Sequence, residues 1–289
     1  IKEVRAALRE KKAEATVIGA LEDVCYLFNI RGNDIACTPV VTAYALVDMQ
    51  SARLYIDARQ MTDEVKAALK KEGVSVAPYE AVFADAEKLQ GTVYLDPART
   101  NIFLRNKIKA NIIEGLNITS SMKAVKNETE IKNYRNAFLK DGIAMVKILK
   151  WVEDHADSGV TEWDVSEQLL RFRAEQPDFI EASFTTIAGY GANAAIIHYG
   201  PKKETAATLQ PKGFLLLDSG GQYRDGTTDI TRTIPLGPLT AEEKEDYTLV
   251  LKGHIQLALA KFPENTTGYK LDILARNPLR KYGKDYKHG

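Results

Sequence analysis

A polar hairpin at residues 215–233 places the strongest constraint on how this chain can fold. Its sequence, LLLDSGGQYRDGTTDITRT, sets two alternating apolar and polar segments around a Gly- and Asp-rich turn, which predicts paired antiparallel strands. A turn centred between Tyr223 and Arg224 would place Asp218 directly opposite Asp229. Directly opposed residues have Cβ atoms about 4.5–5.5 Å apart, and like charges at that distance repel each other. A shared proton, an arginine or a bound cation is needed to offset this repulsion.

The alternation also predicts that both aspartates point to the same side of the sheet. Leu215 and Leu217 point to the other side from Asp218, which predicts a polar concavity above the sheet and an aliphatic core below it. A bridging divalent cation is the most economical way to hold two carboxylates together. Oxygen ligands suit Mg²⁺ or Mn²⁺, and one or two imidazoles favour Mn, Fe or Co. The residues alone leave open that both aspartates are solvated or paired with Arg224 or Arg232.

His198 is the histidine best placed to contribute to such a site. It ends the apolar segment AAIIH, which predicts a strand whose end lies beside the aspartate hairpin. By contrast, His155 is predicted at the surface near a helix end, and His254 is predicted to pack or be half-exposed inside a helix. His288 directly precedes Gly289, where the sequence context ends. A purely structural role for His198 remains open at this point.

The pattern of segments predicts two domains of different construction. Residues 13–117 alternate between strand and helix patterns, which is typical of an α/β domain with a mixed sheet. From Met122 onwards, helices precede an antiparallel meander and then further helices, which indicates an α+β domain. We therefore predict domains at residues 1–122 and 123–289, with the boundary between Asn117 and Lys126.

Local motifs predict the elements of the second domain in more detail. Asn127 and Glu130 form a capping-box pattern at the start of a long helix, and Thr161 with Asp164 begins another. The inner face of the long helix is predicted to carry Ile131, Tyr134, Phe138, Met145, Leu149 and Val152. Four strands are predicted in SFTTIAG, AAIIHYG, FLLLDSG and TTDITRTI.

Composition and charge exclude several classes of partner. Lys and Arg together number 39, as do Asp and Glu, so net charge favours neither nucleic acid nor an anionic membrane. The sequence has no run of about 18 apolar residues and no signal-peptide pattern, which predicts a cytoplasmic protein that binds neither nucleic acid nor membrane. Two cysteines, Cys25 and Cys37, are too few for a disulfide framework.

Several segments resemble the pita-bread metallopeptidases, specifically the three-domain type of Xaa-Pro aminopeptidase. The resemblance is carried by FTTIAGYGANAAIIHYGP, by LLLDSGGQYRDGTTDITRTIPLG and by the final HG. The segment ALEDVCYLFNIRGNDI is similar to the middle, creatinase-N-like domain of that type. The resemblance implies a creatinase-N-like α/β domain at 1–122, followed by a truncated pita-bread domain at 123–289, an α+β architecture.

The resemblance also implies a dinuclear metal site, usually with Mn²⁺, held by two Asp, one His and two Glu. Asp218 and Asp229 match the two aspartates of that set. His198 and His288 match histidines that line the substrate pocket without binding metal. The remaining ligands would lie past Gly289, so we expect this chain to be a fragment, or a trimmed chain, that is inactive alone. Co²⁺, Fe²⁺ or Zn²⁺ could replace Mn²⁺.

The function that the resemblance implies is removal of the N-terminal residue from peptides with proline in the second position. A metal-bridging hydroxide would attack the carbonyl carbon before the proline. A homodimer is expected for the complete protein, because the family tends to dimerise. Two alternatives stay open: a prolidase, which cleaves only Xaa-Pro dipeptides, and a non-catalytic pita-bread protein that binds peptides or partners.

Overall fold

The chain divides into two compact units in a computed structural model that describes residues 1–288. The first unit contains residues 1–136, and the second begins at residue 137. The division falls inside one long helix, Glu128–His155. The domain boundary between residues 122 and 123 stays a prediction. No helix among residues 1–288 is both long and apolar enough to cross a membrane.

The first unit is built on a six-stranded mixed sheet with the strand order β4-β3-β2-β1-β5-β6. Its strands are β1 Ala15–Ile18, β2 Tyr44–Asp48, β3 Ala52–Tyr55, β4 Val74–Ala77, β5 Thr92–Leu95 and β6 Asn111–Glu114. Its helices are α1 Lys2–Glu10, α2 Leu21–Phe28, α3 Asp63–Lys71, α4 Ala81–Glu87, α5 Ile102–Lys107 and α6 Ile118–Ala124. β2 pairs antiparallel with β1 and β3, and the other pairs are parallel. The predicted mixed α/β sheet is confirmed.

Alternating side chains of this sheet bury two separate apolar layers. One face packs Ile18 and Leu54 with residues of α1, α2 and α6. The opposite face packs Val17 and Tyr55 with residues of α4 and α5. The sheet is therefore covered by helices on both sides, as a sheet with buried central strands requires.

The second unit consists of helices around two small antiparallel sheets. Its helices are α8 Glu162–Ala174, α9 Ala241–Ala258 and α10 Gly268–Arg280, together with the part of α7 Glu128–His155 from residue 137 onwards. Its strands are β7 Phe179–Ala182, β8 Ile187–Tyr190, β9 Phe214–Ser219, β10 Gly221–Tyr223, β11 Gly226–Thr227 and β12 Ile230–Pro235. The strand orders are β11-β10-β7 and β12-β9-β8. Leu215 and Leu217 of β9 pack against α7 and α8, so the predicted aliphatic side of the hairpin is confirmed.

The capping boxes predicted for the long helix α7 and for α8 are present. The Asn127 side chain accepts a hydrogen bond from the Glu130 backbone N–H, and the Glu130 carboxylate accepts one from the Asn127 N–H. Thr161 with Asp164 makes the same reciprocal pair at α8. Each box satisfies N–H groups that the first helical turn leaves without intrahelical partners.

The predicted inner face of α7 is partly wrong. Met145 and Val152 are buried as predicted, but Ile131 and Phe138 are exposed. The buried face instead carries Ala137, Lys140, Asp141, Ala144 and Ile148. Hydrophobic periodicity missed this face because two of its members are charged, and their burial depends on partners distant in sequence.

Two of the predicted strands also differ from the structure. The segment AAIIHYG is not a strand: Gly191–Ala195 is a short 3₁₀ helix, a turn follows it, and Ile196 and Ile197 are exposed. The strand predicted in SFTTIAG begins only at Ile187. Side-chain hydrogen bonds to a buried carboxylate, described below, hold the 191–199 segment in its non-strand conformation.

Candidate metal centre

The aspartate hairpin forms with a register two residues away from the predicted one. Asp218 pairs with Thr231, and Gln222 pairs with Thr227, so the turn is centred between Arg224 and Asp225. The prediction that Asp218 directly opposes Asp229 is therefore wrong. The turn centre lies one residue later than predicted, and in this position Asp225 accepts a 2.8 Å hydrogen bond from the ammonium group of Lys140.

The observed register makes Asp218 and Asp229 diagonal neighbours. Asp229 lies two residues before Thr231 and directly before β12, which begins at Ile230, and continuing the strand alternation would place it on the face of Thr231. Diagonal neighbours lie about 7–8 Å apart, within reach of one another's charge. The pKa of Asp229 is raised, first by partial loss of hydration and second by the negative charge of Asp218. The two carboxylates therefore repel each other in the absence of a cation.

The donor atoms of this pair fit a hard divalent cation. Oδ1 of Asp218 accepts a 2.7 Å hydrogen bond from the hydroxyl of Thr231. Among residues 1–288, Asp229 has no hydrogen bond, and neither aspartate has an ion pair. The guanidinium of Arg232 donates to the Thr231 carbonyl oxygen, so the pairing with Arg232 left open by the sequence is not formed. Oxygen atoms with unused lone pairs are the ligands that Mg²⁺ and Mn²⁺ prefer.

The described residues supply this pair and no larger cluster. No group of three or more His, Cys, Asp or Glu side chains within residues 1–288 is arranged to hold a metal ion. The assignment of Asp218 and Asp229 as metal ligands therefore stays a prediction, and any further ligands would have to come from outside residues 1–288.

The structure brings His198 and His288 together. Their ring centroids lie 5.8 Å apart with the rings nearly perpendicular, and Tyr286 stacks on His288 at 6.4 Å. The guanidinium of Arg276 donates a 2.7 Å hydrogen bond to the His288 carbonyl oxygen. His198 lies in an exposed turn with a φ of 58°, so its predicted position at the end of a strand is wrong.

A cavity of about 1100 Å³ lies over the outer face of the hairpin sheet. The sheet contributes Leu216 and Thr231 to its wall, and the segment after α10 contributes Tyr286. Thr231 contacts Asp218, and Tyr286 contacts His288, whereas none of the four predicted site residues lines the cavity itself. It is large enough for a small peptide, since ligand cavities commonly measure about 300–1,000 Å³.

Helix α9 supplies another wall of the cavity and includes a histidine that sequence analysis predicted to pack or be half-exposed. His254 is exposed and lines the cavity together with Tyr247, Val250 and Leu251. Val250, Leu251 and His254 follow Tyr247 by three, four and seven positions, which places all four residues on one face of the helix. This spacing is visible in the sequence and could have grouped His254 with the other cavity-lining residues of the helix.

A buried ion pair supports the hairpin from the side opposite the cavity. Arg173 donates to both carboxylate oxygens of Asp141, at 2.6 and 3.1 Å, and to the Ser219 hydroxyl at 3.1 Å. The Tyr223 hydroxyl donates to Asp141 at 2.9 Å. Burial and the neighbouring Asp141 charge raise the pKa of Tyr223. Ser219 directly follows Asp218, so the network fixes the backbone that carries one aspartate.

Thr231→Val is expected to weaken divalent metal binding while leaving the fold unchanged. The substitution keeps the shape of the side chain but removes the hydroxyl that orients Asp218. Loss of a group that supports a metal ligand typically costs about 10–100-fold in affinity. Isothermal titration of Mn²⁺ into the metal-free whole protein measures the change. Thr231→Ser, which keeps the hydroxyl, should bind Mn²⁺ like the wild type; equal affinity in the Val variant would exclude this role.

Comparison with known proteins agrees with this architecture. The model of the Creatinase/Prolidase N-terminal domain matches residues 1–130, and the model of Metallopeptidase family M24 matches residues 132–289. These matches confirm the predicted combination of a creatinase-N-like domain and a pita-bread domain.

Individual proteins show the same similarity. A probable Xaa-Pro aminopeptidase P of Sordaria macrospora is 42% identical over 99% of this chain and 49% of its own length. Xaa-Pro aminopeptidase 1 of Dictyostelium discoideum is 39% identical over 100% of this chain and 47% of its own length.

A solved structure extends the comparison to three dimensions. The X-prolyl aminopeptidase of Caenorhabditis elegans, described as a cytosolic enzyme with a di-nuclear active site, is 36% identical, with a TM-score of 0.93. The match covers 100% of this chain and 49% of that one. The chain thus spans about half the length of the curated relatives it matches. It belongs to metallopeptidase family M24, with a creatinase-type domain preceding its pita-bread domain.

Proposed function

We propose that the whole protein is a metal-dependent aminopeptidase that removes the N-terminal residue from peptides with proline in the second position. The observation that carries this proposal is the pair of carboxylates at Asp218 and Asp229, which lie within reach of each other's charge and form no ion pair among residues 1–288. A divalent cation removes their mutual repulsion, and family membership supports this use of the pair. The similarity to Xaa-Pro aminopeptidases supports the choice of substrate.

Asp218 and Asp229 are proposed as metal ligands, with Mn²⁺ as the native ion. Oxygen donors favour Mn²⁺ over softer ions, whereas Zn²⁺, Co²⁺ and Fe²⁺ are the alternatives to be tested. Bound divalent ions supply Lewis acidity, which lowers the pKa of water and polarises a carbonyl group. Thr231 orients Asp218 through its hydrogen bond, and the Arg173 network holds the adjacent backbone.

His198 and His288 are proposed to hold the substrate. Their rings are adjacent, so both can contact one bound peptide. An imidazole N–H directed at the scissile carbonyl oxygen would stabilise the negative charge that develops there. Proline in the second position presents no N–H to donate and has a fixed φ, which distinguishes such peptides from others in shape and hydrogen bonding.

Peptide hydrolysis by the whole protein tests this function. Metal-free protein is supplied with Mn²⁺, Co²⁺, Fe²⁺ or Zn²⁺ and given Arg-Pro-Pro, the dipeptide Gly-Pro, and Arg-Ala-Pro as a control without proline in the second position. We expect Mn²⁺ to support release of arginine from Arg-Pro-Pro, with little cleavage of the control. Cleavage of Gly-Pro alone would instead show a prolidase. Absence of both cleavage and bound metal would favour a non-catalytic binding protein.

We also propose a cytosolic location and a homodimer for the whole protein. A cytosolic location follows from similarity to the Caenorhabditis elegans protein, which is described as cytosolic. A homodimer follows from the family resemblance alone, and light scattering of the whole protein measures it.

A further inference from the structure

Glu162 is a fully buried carboxylate at the start of α8, and among residues 1–288 it forms no ion pair. Its side chain is instead surrounded by hydrogen-bond donors. Oε1 accepts from the backbone N–H of Tyr190 at 2.6 Å and from the Asn193 side chain at 3.0 Å. Oε2 accepts from the Tyr199 hydroxyl at 2.7 Å and from the Ala207 N–H at 2.9 Å. The N-terminal end of α8 adds a favourable dipole for the negative charge.

All of these donors belong to one connecting segment. The segment runs from the end of β8 at Tyr190 to Ala207 and contains only a short 3₁₀ helix. Two donors precede its midpoint and two follow it, so one carboxylate is hydrogen-bonded to both halves of the segment. Ile196 and Ile197 are exposed, so the middle of the segment gains little support from apolar packing. Hydrogen bonds to Glu162 are therefore a main restraint on its conformation.

His198 lies in the middle of this segment, directly before Tyr199. Its φ of 58° is in the left-handed region, which is strained for a residue other than glycine and persists only where the surroundings impose it. His198 is the third residue of a turn closed by a 3.1 Å hydrogen bond from the Tyr199 N–H to the Ile196 carbonyl oxygen. The side chain of Tyr199, next along the chain, is fixed by its hydrogen bond to Glu162. Asn193 donates a further hydrogen bond of 3.2 Å to the Tyr199 hydroxyl.

We propose that Glu162 is a positioning residue that acts through Tyr199 to hold His198 against the bound peptide. This inference rests on the proposed function, in which His198 contacts the substrate. A carboxylate suits the task because it accepts several hydrogen bonds and donates none. Burial, followed by the hydrogen bond and charge of Glu162, raises the pKa of Tyr199 to about 12, so the hydroxyl remains a donor at neutral pH.

Tyr199→Phe in the whole protein tests the link between Glu162 and His198. The variant removes one hydroxyl and leaves the other donors to Glu162 in place. We expect the imidazole C–H signals of His198 in the NMR spectrum to shift or broaden. His155 stacks on Trp151 and serves as an internal reference. We also expect kcat/KM to fall about 10–100-fold, mainly through kcat, because small displacements of a contacting group are costly. Metal affinity should not change.

Tyr55→Phe is the matched control. Tyr55 also donates its hydroxyl to a carboxylate, that of Asp85 at 3.0 Å, but it belongs to the first unit. The Tyr55→Phe variant should lower thermal stability by about as much as Tyr199→Phe does, while leaving the His198 signals and kcat/KM unchanged. If Tyr199→Phe does not fold, Asn193→Ala replaces it with the same expected results, since Asn193 contacts both Glu162 and Tyr199.

The two measurements separate failure of this inference from failure of the proposed function. A wild-type protein that cleaves no Xaa-Pro peptide would contradict the proposed function, whereas the NMR spectra would still report whether Tyr199 restrains His198. If Tyr199→Phe leaves the His198 signals unchanged and has the same kcat/KM as the control Tyr55→Phe, the positioning role is overturned. A loss of stability without either change would show that Glu162 is structural only.

Discussion

Asp229→Asn in the whole protein is expected to abolish Mn²⁺-dependent cleavage of Xaa-Pro peptides without unfolding the protein. The substitution keeps the size of the side chain but removes the negative charge that complements a divalent cation. Removal of a group that merely supports a ligand costs about 10–100-fold, so loss of the ligand itself should exceed that range. The value of kcat/KM and the bound metal per chain measure the effect. Asp157→Asn, at an exposed aspartate, should retain wild-type activity.

Asp229→Asn is also expected to change how the stability of the metal-free protein depends on pH. Because the folded state raises the pKa of Asp229, it binds the proton more tightly than the unfolded state does. This contribution to stability is present at low pH and is lost as pH rises through the folded-state pKa. Asp229→Asn should remove that pH dependence, and its midpoint in metal-free urea unfolding at neutral pH should equal or exceed that of wild type. Added Mn²⁺ should stabilise wild type more than the variant; an equal gain would contradict the assignment.

Asp141→Ala is expected to destabilise the protein by about 3–5 kcal/mol, because it leaves the charge of Arg173 buried without its partner. Both side chains of the pair are almost completely inaccessible to solvent. The double variant Asp141→Leu with Arg173→Met should recover a large part of this loss, since it removes both charges together. Urea unfolding of the metal-free whole protein measures all of these variants.

An exposed ion pair provides the control for this prediction. Asp154 contacts Lys150 one turn away on the surface of α7. Asp154→Ala should move the unfolding midpoint far less than Asp141→Ala, since water screens exposed charges. If the two single variants were equally stable, the Asp141–Arg173 pair would not be the support of the hairpin that its geometry indicates.

The faces of the hairpin could be predicted from sequence, but its register could not. The alternation of Leu215 and Leu217 with Asp218 is a local property of an extended chain, and the structure confirms it. The observed turn is held by a contact from Lys140, which reaches Asp225 from 85 positions earlier in the chain. Long-range charge pairs of this kind have no signature in hydrophobic periodicity.

The same limitation explains the error around His198. AAIIHYG has the composition of a strand, but Asn193 and Tyr199 bond to Glu162 and keep their segment out of the sheet. The capping box at Thr161 was predicted correctly, because both of its partners are local. The adjacent Glu162 was missed, since its role depends on donors up to 45 positions away.

The most direct test of the proposed metal site is anomalous X-ray diffraction at the manganese edge from crystals of the whole protein grown with Mn²⁺. We expect two neighbouring peaks, at least one of them within coordination distance of carboxylate oxygens from both Asp218 and Asp229. Asp229→Asn crystals should lose or weaken both peaks. Manganese bound elsewhere, or no peak beside either aspartate, would contradict the conclusion that these carboxylates hold the metal.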